Sequence, residues 1–415
     1  MQANTLAAEY IIKESIAAVL PDRAVESALE RRTFERPPVL VAIGKAAWRM
    51  AKAAYDKLEG NVLRGVVITK YEHSEGPIGP LEIYEAGHPV PDENGVAATR
   101  RALEIVSGLT DEDTVIFLVS GGGSALFELP AGDATLEDIA DLTRQLLACG
   151  AAIDEINTIR KRLSAVKGGR FALACYPACV LCIALSDVLD NSIETIASGP
   201  AAPDSTTCAQ ALDIVRRYAL RVPEHIEPLL HQETPKVLRN VFFDIRGSVA
   251  SLCRAARDAA SILGYVAIIR TTELTCEARE AGKLLAASAQ SLNEDEMPYP
   301  MRYAIILGGE TVVHVKGNGK GGRNQEIALA AAKEIDGLKN VCIFSLGSDG
   351  TDGPTDAAGG IVTGETAAKI RKLGLSIDAA LENNDAYPVL KAADALIMTG
   401  PTGTNVNDVS VLLIG

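Results

Sequence analysis

The chain has 415 residues, enough for two or three domains at about 150 residues each. Hydrophobic residues make up 47% and charged residues 23%, which excludes a disordered, collagen-like or disulfide-scaffold chain. A net charge of -14, with only 1 Trp, 10 Tyr and 7 Phe, argues against nucleic acid and membrane surfaces as partners and for a small molecule.

The opening MQANTLAAEYIIKESIAAVL interrupts its apolar run with Glu9, Lys13 and Glu14 and reads as an amphipathic helix, not a leader. Short Val- and Ile-rich runs at 39–43, 65–69, 114–120, 179–186, 265–270, 304–307 and 341–346 read as buried parallel strands. Helical periodicity fills 46–58, 95–109, 136–150, 248–263 and 325–335 between them, which predicts an α/β chain with doubly wound sheets. The polar, Pro-bearing RVPEHIEPLLHQETPK breaks the pattern, and a fresh series begins near Val241, so two α/β/α domains are expected, 1–235 and 236–415. In such sheets ligands sit beyond the carboxyl ends of strands, and an interdomain cleft is the expected active site. The 8 cysteines are scattered, and Cys175, Cys179 and Cys182 read as small buried hydrophobes, not a zinc site. Reduced thiols and a cytoplasmic location are the expectation.

Six strand-end loops carry candidate chemistry. In VLVAIGKAAWRMAKAAY, Gly44 turns the chain and Lys45 opens a helix, suiting either an anionic ligand or a solvated surface position. In VIFLVSGGGSALFELP, the amides of Gly121, Gly122 and Gly123, with Ser120 and Ser124, can form an oxyanion nest or a bare tight turn. INTIRKRLSAVKGGRFA crowds Arg160, Lys161, Arg162, Lys167 and Arg170 together, either for a polyanion or as a salt-bridged helix face. In CIALSDVLDNSIETIASGP, Asp187 can orient a hydroxyl or hold Mg²⁺, and Asp187 or Asn191 can equally cap a helix.

TVVHVKGNGKGGRNQE holds a G-x-G-x-x-G in Gly317, Gly319 and Gly322, the feature that favours a nicotinamide dinucleotide. The glycines do not close a strand-turn-helix, and Arg323 and Asn324 intrude at the helix entrance, where Arg323 suits a phosphate clamp. GSDGTDGPTDAAGG packs Asp349, Asp352 and Asp356 among glycines, a density that favours Mg²⁺, with Glu310 able to join. TGPTGTNVNDV adds Thr402, Thr404, Asn405 and Asp408 as turn formers or ligand contacts.

Taken together, GKAAWRMA, AGHPVPDENG, LVSGGGSALFELP, INTIRKRLSAVKGGR, ALSDV with IASGP, GGETVV, GNGKGGRNQE, GSDGTDGPTDAAGG and TGPTGTNVNDV resemble the glycerate 2-kinases, whose C-terminal part is the MOFRL domain and whose members have often been labelled hydroxypyruvate reductases. The resemblance covers nearly the whole chain and departs from the family at VLDNSIET. It implies two α/β domains and ATP-dependent, Mg²⁺-assisted phosphorylation of D-glycerate to 2-phosphoglycerate. Lys45 and Arg323 match positions acting at the phosphates and substrate, and Asp187 matches the acid that follows the Ser-Asp strand end.

The expected catalytic set is therefore Lys45, Asp187 and Arg323. The expected binding set is Ser120, Gly121, Gly122, Gly123, Ser124, Arg160, Lys167, Asn191, Gly319, Gly321, Gly322, Asn324, Thr404 and Asn405, and the expected metal ligands are Glu310, Asp349 and Asp352. The alternatives are an NAD(P)H-dependent hydroxypyruvate reductase and a non-catalytic nucleotide or sugar-acid sensor. Homo-oligomerisation is left open.

Overall fold

The structure is a computed structural model that describes residues 3–186, 192–294 and 301–415. These fall into two compact units, Pro21–Arg246 and the segment up to Leu20 joined with Gly247–Gly415.

In the first unit, strands β1 (Val39–Ile43), β2 (Arg64–Lys70), β3 (Leu81–Ala86), β4 (Thr114–Val119), β5 (Cys179–Leu185) and β6 (Val241–Gly247) form one sheet in the order β3-β2-β1-β4-β5-β6. β1 runs parallel to both neighbours, with Val41 opposite Val66 on one side and Phe117 on the other. Every residue of β1 is buried, because alternate side chains feed two separate cores. Val39, Val41 and Ile43 pack with Phe117, Phe127 and Phe171 on one face. Leu40 and Ala42 pack with Trp48, Met50 and Ala51 on the other. The helix Ala47–Lys57 covers that second face through Ala47, Met50, Ala51 and Ala54, the spacing of one helical stripe.

The chain leaves β1 in one direction toward β2 and β3, and returns to the opposite side at β4. The strand order therefore reverses between β1 and β4, and the crevice for a ligand opens beyond their carboxyl ends.

In the second unit, β7 (Val266–Leu274), β8 (Tyr303–Gly309), β9 (Val341–Gly347), β10 (Gly359–Thr363), β11 (Leu396–Ile397) and β12 (Asp408–Ile414) pair in the order β11-β10-β9-β12-β8-β7. This sheet is mixed. β12 lies antiparallel to both β8 and β9, with Val411 opposite Ile306 and Phe344, whereas β7 and β8 are parallel. The two runs expected as parallel strands, β8 and β9, are thus separated by β12, which buries all of DVSVLLI. A fully enclosed strand reads as an apolar run in either direction, so the run alone does not fix how it pairs.

The division expected at residue 235 differs from these units in two places. β6 joins the first sheet, where Val180 N donates to Asn240 O at 2.7 Å and Asn240 Nδ2 donates to the carbonyls of Ala172 and Ala178. The helix Ala3–Ala18 joins the second unit, burying Ala8, Ile11, Ile12 and Ile16. Asn4 Nδ2 donates to Asn340 O at 2.6 Å there, and Tyr265 OH donates to Asn4 Oδ1 at 2.5 Å. Cys175 and Cys182 are buried, and burial pushes both thiols up to about 12, which suits hydrophobes and not metal ligands. Among the described residues no helix is long and apolar enough to cross a membrane.

Candidate active site

The loops after β1 and β4 meet in the crevice of the first unit. Lys45 N donates to Gly121 O at 2.9 Å, Ser120 N donates to Ile43 O at 3.0 Å, and Ser120 Oγ accepts from Ala46 N at 3.1 Å. The Ser120 hydroxyl, expected to meet a ligand, instead joins the two loops. Gly122 takes φ +87°, a left-handed conformation that glycine adopts without steric cost. Among the described residues the amides of Gly121 and Gly122 donate to no acceptor, whereas Gly123 N donates to Ser120 O at 3.3 Å. The Lys45 ammonium likewise makes no ion pair with a described residue. One cation and uncommitted amides at the end of β1 and β4 suit an oxyanion.

Ser124 Oγ shares a hydrogen bond with Ser198 Oγ at 3.0 Å, and Ser198 Oγ donates to Asn157 Oδ1 at 3.3 Å. Ala197 and Ser198 hold φ of 52° and 61°, each costing about 1–3 kcal/mol in a non-glycine residue, a strain that clusters where function requires it.

The basic segment resolves mostly into structural pairs. Lys161 Nζ donates to Asp204 Oδ1 at 3.1 Å, and the fully buried Arg162 donates to Thr158 O at 3.0 Å and Thr206 O at 2.9 Å. Lys167, expected to bind phosphate or substrate, is also fully buried. Its ammonium pairs with Glu128 and donates to Phe127 O, and burial pushes its pKa down. A buried ammonium is tolerated only with such a partner, so Lys167 belongs to the core. Arg160 is half-buried, one helical turn from Asn157, with its Nε buried and unpartnered among the described residues. Asp187 and Asn191 lie outside the described residues.

In the second unit Arg323 begins the helix Arg323–Glu334. Its Nε and Nη2 donate to the two oxygens of Asp408 at 2.5 and 3.1 Å, and Nη1 donates to Glu310 Oε1 at 2.8 Å. A guanidinium carries five N–H donors, and these bonds leave one on each terminal nitrogen. Burial would lower the Arg323 pKa, but Asp408, Glu310 and Asp352 outweigh it and raise it. The arrangement is a pre-oriented fork able to take phosphate oxygens two at a time. Asp408, treated in the sequence as a turn former or contact, is its positioning residue. Burial raises the Asp408 pKa, with the Arg323 bond acting against that shift.

The expected metal ligands do not assemble. Glu310 is engaged by Arg323. Asp352, 3% exposed, accepts from the amides of Asn324 and Gln325 at 3.1 and 2.8 Å and so caps the helix carrying Arg323. Burial raises its pKa to about 6, against the lowering effect of those amides. Among the described residues no three His, Cys, Asp or Glu side chains form a metal-binding group. Asp349 is the expected ligand left partly open, since among the described residues only its Oδ1 is engaged, by Thr351 N at 2.9 Å. Mg²⁺ usually takes one or two carboxylates together with phosphates and water, a demand that Asp349 fits.

The glycine-rich loop also differs from its expected role. The amides of Lys316 and Gly317 donate to Asn384 Oδ1, those of Asn318 and Gly319 to Asn383, and that of Lys320 to Asp385 Oδ1 at 2.7 Å. These groups are therefore spent on 383–385, and Gly319 is not a phosphate ligand. Gly321 and Gly322 pack beside Ala386 and Asp352. Asn324 is buried, with its Oδ1 accepting from Ser345 Oγ at 2.6 Å. Thr404 Oγ1 donates to Val19 O at 2.9 Å, and Asn405 Oδ1 accepts from Asn407 N at 3.4 Å. All are structural ties that residue type and spacing left undecided.

Residues 7–231 match a family model described as a domain of unknown function, DUF4147, and residues 303–408 match the MOFRL family. The chain is 54% identical to a D-glycerate 2-kinase of Thermotoga maritima, covering 97% of both chains. It is 40% identical to a glycerate 2-kinase of Pyrococcus horikoshii, over 97% of this chain and 96% of that one. The crystal structure of a glycerate kinase from Thermotoga maritima superposes with a TM-score of 0.96 at 53% identity, covering 99% of each chain. With both halves matched in order and the fold reproduced end to end, the chain belongs to the glycerate 2-kinase family.

Proposed function

We propose that this chain is a cytoplasmic D-glycerate 2-kinase, transferring the terminal phosphoryl group of ATP to the 2-hydroxyl of D-glycerate and releasing ADP and 2-phosphoglycerate. The observation that carries the reading is the Arg323 fork, locked by Asp408 with an N–H left on each terminal nitrogen. Phosphoryl transfer asks a protein chiefly for positioning and charge neutralisation, and a fixed guanidinium supplies both. Lys45 neutralises a second oxyanion, with the amides of Gly121 and Gly122 beside it. Arg160 and the Ser124–Ser198–Asn157 set extend this polar surface. Asp187 orients the substrate hydroxyl and takes its proton, a role that rests on sequence resemblance. Asp349 holds Mg²⁺, which when bound with the nucleotide neutralises phosphate charge.

The reductase alternative rested on Gly317, Gly319 and Gly322. The amides of Gly317 and Gly319 are engaged by 383–384, which leaves little of that loop to bind a pyrophosphate.

Release of ADP from ATP with D-glycerate tests the reading. Lys45→Ala removes an ammonium without orphaning a described partner, and Arg323→Lys replaces the fork by a point charge. Each is expected to lower kcat roughly 10²–10³-fold with the denaturation midpoint held within that of wild type. Wild-type turnover in both variants, or NADH oxidation with hydroxypyruvate at comparable rates without ATP, would overturn it.

A further inference from the structure

His88 has no role so far, although it stands at the centre of the first unit's crevice. The segment after β3 brings its Cδ2–Nε2 edge against Gly122. A Cβ at Gly122 would lie 3.0 Å from His88 Cδ2, 3.1 Å from His88 Nε2 and 3.1 Å from Lys45 Cγ. The imidazole edge, the lysine stem and the glycine loop therefore surround one point at the carboxyl ends of β1 and β4. The turn that carries His88 is anchored by Asp92, which accepts from Gly95 N at 2.9 Å and from Tyr71 OH at 2.6 Å.

The neighbouring polar side chains are occupied. Ser120 joins the loops, Ser124 meets Ser198, and His73 Nδ1 and Thr69 Oγ1 lie 3.1 and 3.3 Å from the Lys45 carbonyl. His88, half-buried, has no hydrogen-bond partner on either ring nitrogen among the described residues. A polar group placed this way beside an uncommitted ammonium and two uncommitted amides lacks only an acceptor, and an oxyanion satisfies all of them.

We propose that His88 is a substrate-contacting residue, donating its Nε2–H to the oxyanion that Lys45 and the Gly121–Gly122 amides receive. The proposal rests on the kinase reading and adds a residue to it. The oxyanion comes from one of two sources, the carboxylate of the hydroxy acid or the terminal phosphoryl group of ATP. Burial, and then the nearby charges of Lys45, Lys70 and His73, push the His88 pKa down, so the ring is neutral at pH 7 and keeps one N–H to donate.

Steady-state kinetics of His88→Ala and His88→Gln, with each substrate varied separately, test this. His88→Ala is expected to lose about tenfold or more in kcat/KM, and His88→Gln, which carries an amide donor toward the same place, to recover most of it. A rise confined to the KM for D-glycerate assigns the carboxylate, and a fall in kcat or a rise in the KM for ATP assigns the phosphoryl group. Values within twofold of wild type, or equal losses in both variants, overturn the proposal.

The ¹⁵N resonance of His88 Nε2 in the wild-type protein, titrated with D-glycerate and with ATP, gives a readout independent of how the variants fold. A saturable shift supports the contact, and an unmoved resonance overturns it. If the wild type releases no ADP, the kinase reading fails, while this titration still decides whether His88 meets an oxyanion.

Discussion

Asp352 illustrates how burial redirects a carboxylate. Its oxygens face the first amides of the Arg323–Glu334 helix, where a negative charge is favoured, yet removal from water dominates and raises its pKa to about 6. The unfolded chain titrates near 3.9, so between about pH 4 and pH 6 the folded state binds the proton more tightly. Stability from this group is fully present below about pH 4 and is lost as pH rises through 6. Asp352→Asn removes the titration. The unfolding free energy of wild type minus that of the variant should fall by ~2 kcal/mol between pH 4 and pH 7, as followed by denaturant titration. A difference that stays flat over that range contradicts the assignment. Lys45 drew attention in the sequence because it follows the glycine at the end of β1, and Arg323 because it opens a helix behind a glycine-rich loop. Lys167 and Asp352 were misread because a sequence shows charge but not the partner that burial provides, Glu128 for one and helix amides for the other.

At the scale of elements, the loop from Lys316 to Lys320 is a structural clasp. A Cβ on Gly319 would lie 2.4 Å from Asp385 Cβ and 2.5 Å from Asn383 O, neither of which can swing aside as a flexible side chain would. Gly319→Ala should therefore cost about 1–3 kcal/mol in stability, measured by urea unfolding. A variant as stable as wild type would show that the loop can open. The parallel core strands β1, β2, β4 and β5 were legible because burial on both faces produces continuous apolar runs. The outer strand β3 was not, since LEIYEA is half-buried and carries charges on the sheet edge, whereas the start of β6 at Val241 was read but given to the second domain instead of the first sheet. β12 escaped notice for a different reason. Its seven buried residues follow directly on a loop rich in Gly, Thr and Asn, which drew attention to the turn instead of the strand behind it.

For the molecule as a whole, two sheets of different character each bring one cation to a strand-end loop: Lys45 at the reversal between β1 and β4, and Arg323 at the helix after β8. A long series of motifs in order makes the family legible in the sequence, and the matches over 97% of the chain agree. The glycine-rich loop pointed toward a dinucleotide enzyme only while its amides were assumed to be available. The regiochemistry of transfer is the central claim, and proton-coupled ³¹P NMR reads it directly. With ATP, Mg²⁺ and D-glycerate, the account predicts a new phosphomonoester resonance split into a doublet by the single proton on C2. A triplet from phosphate on the C3 methylene, or no new phosphomonoester while ATP persists, would contradict it.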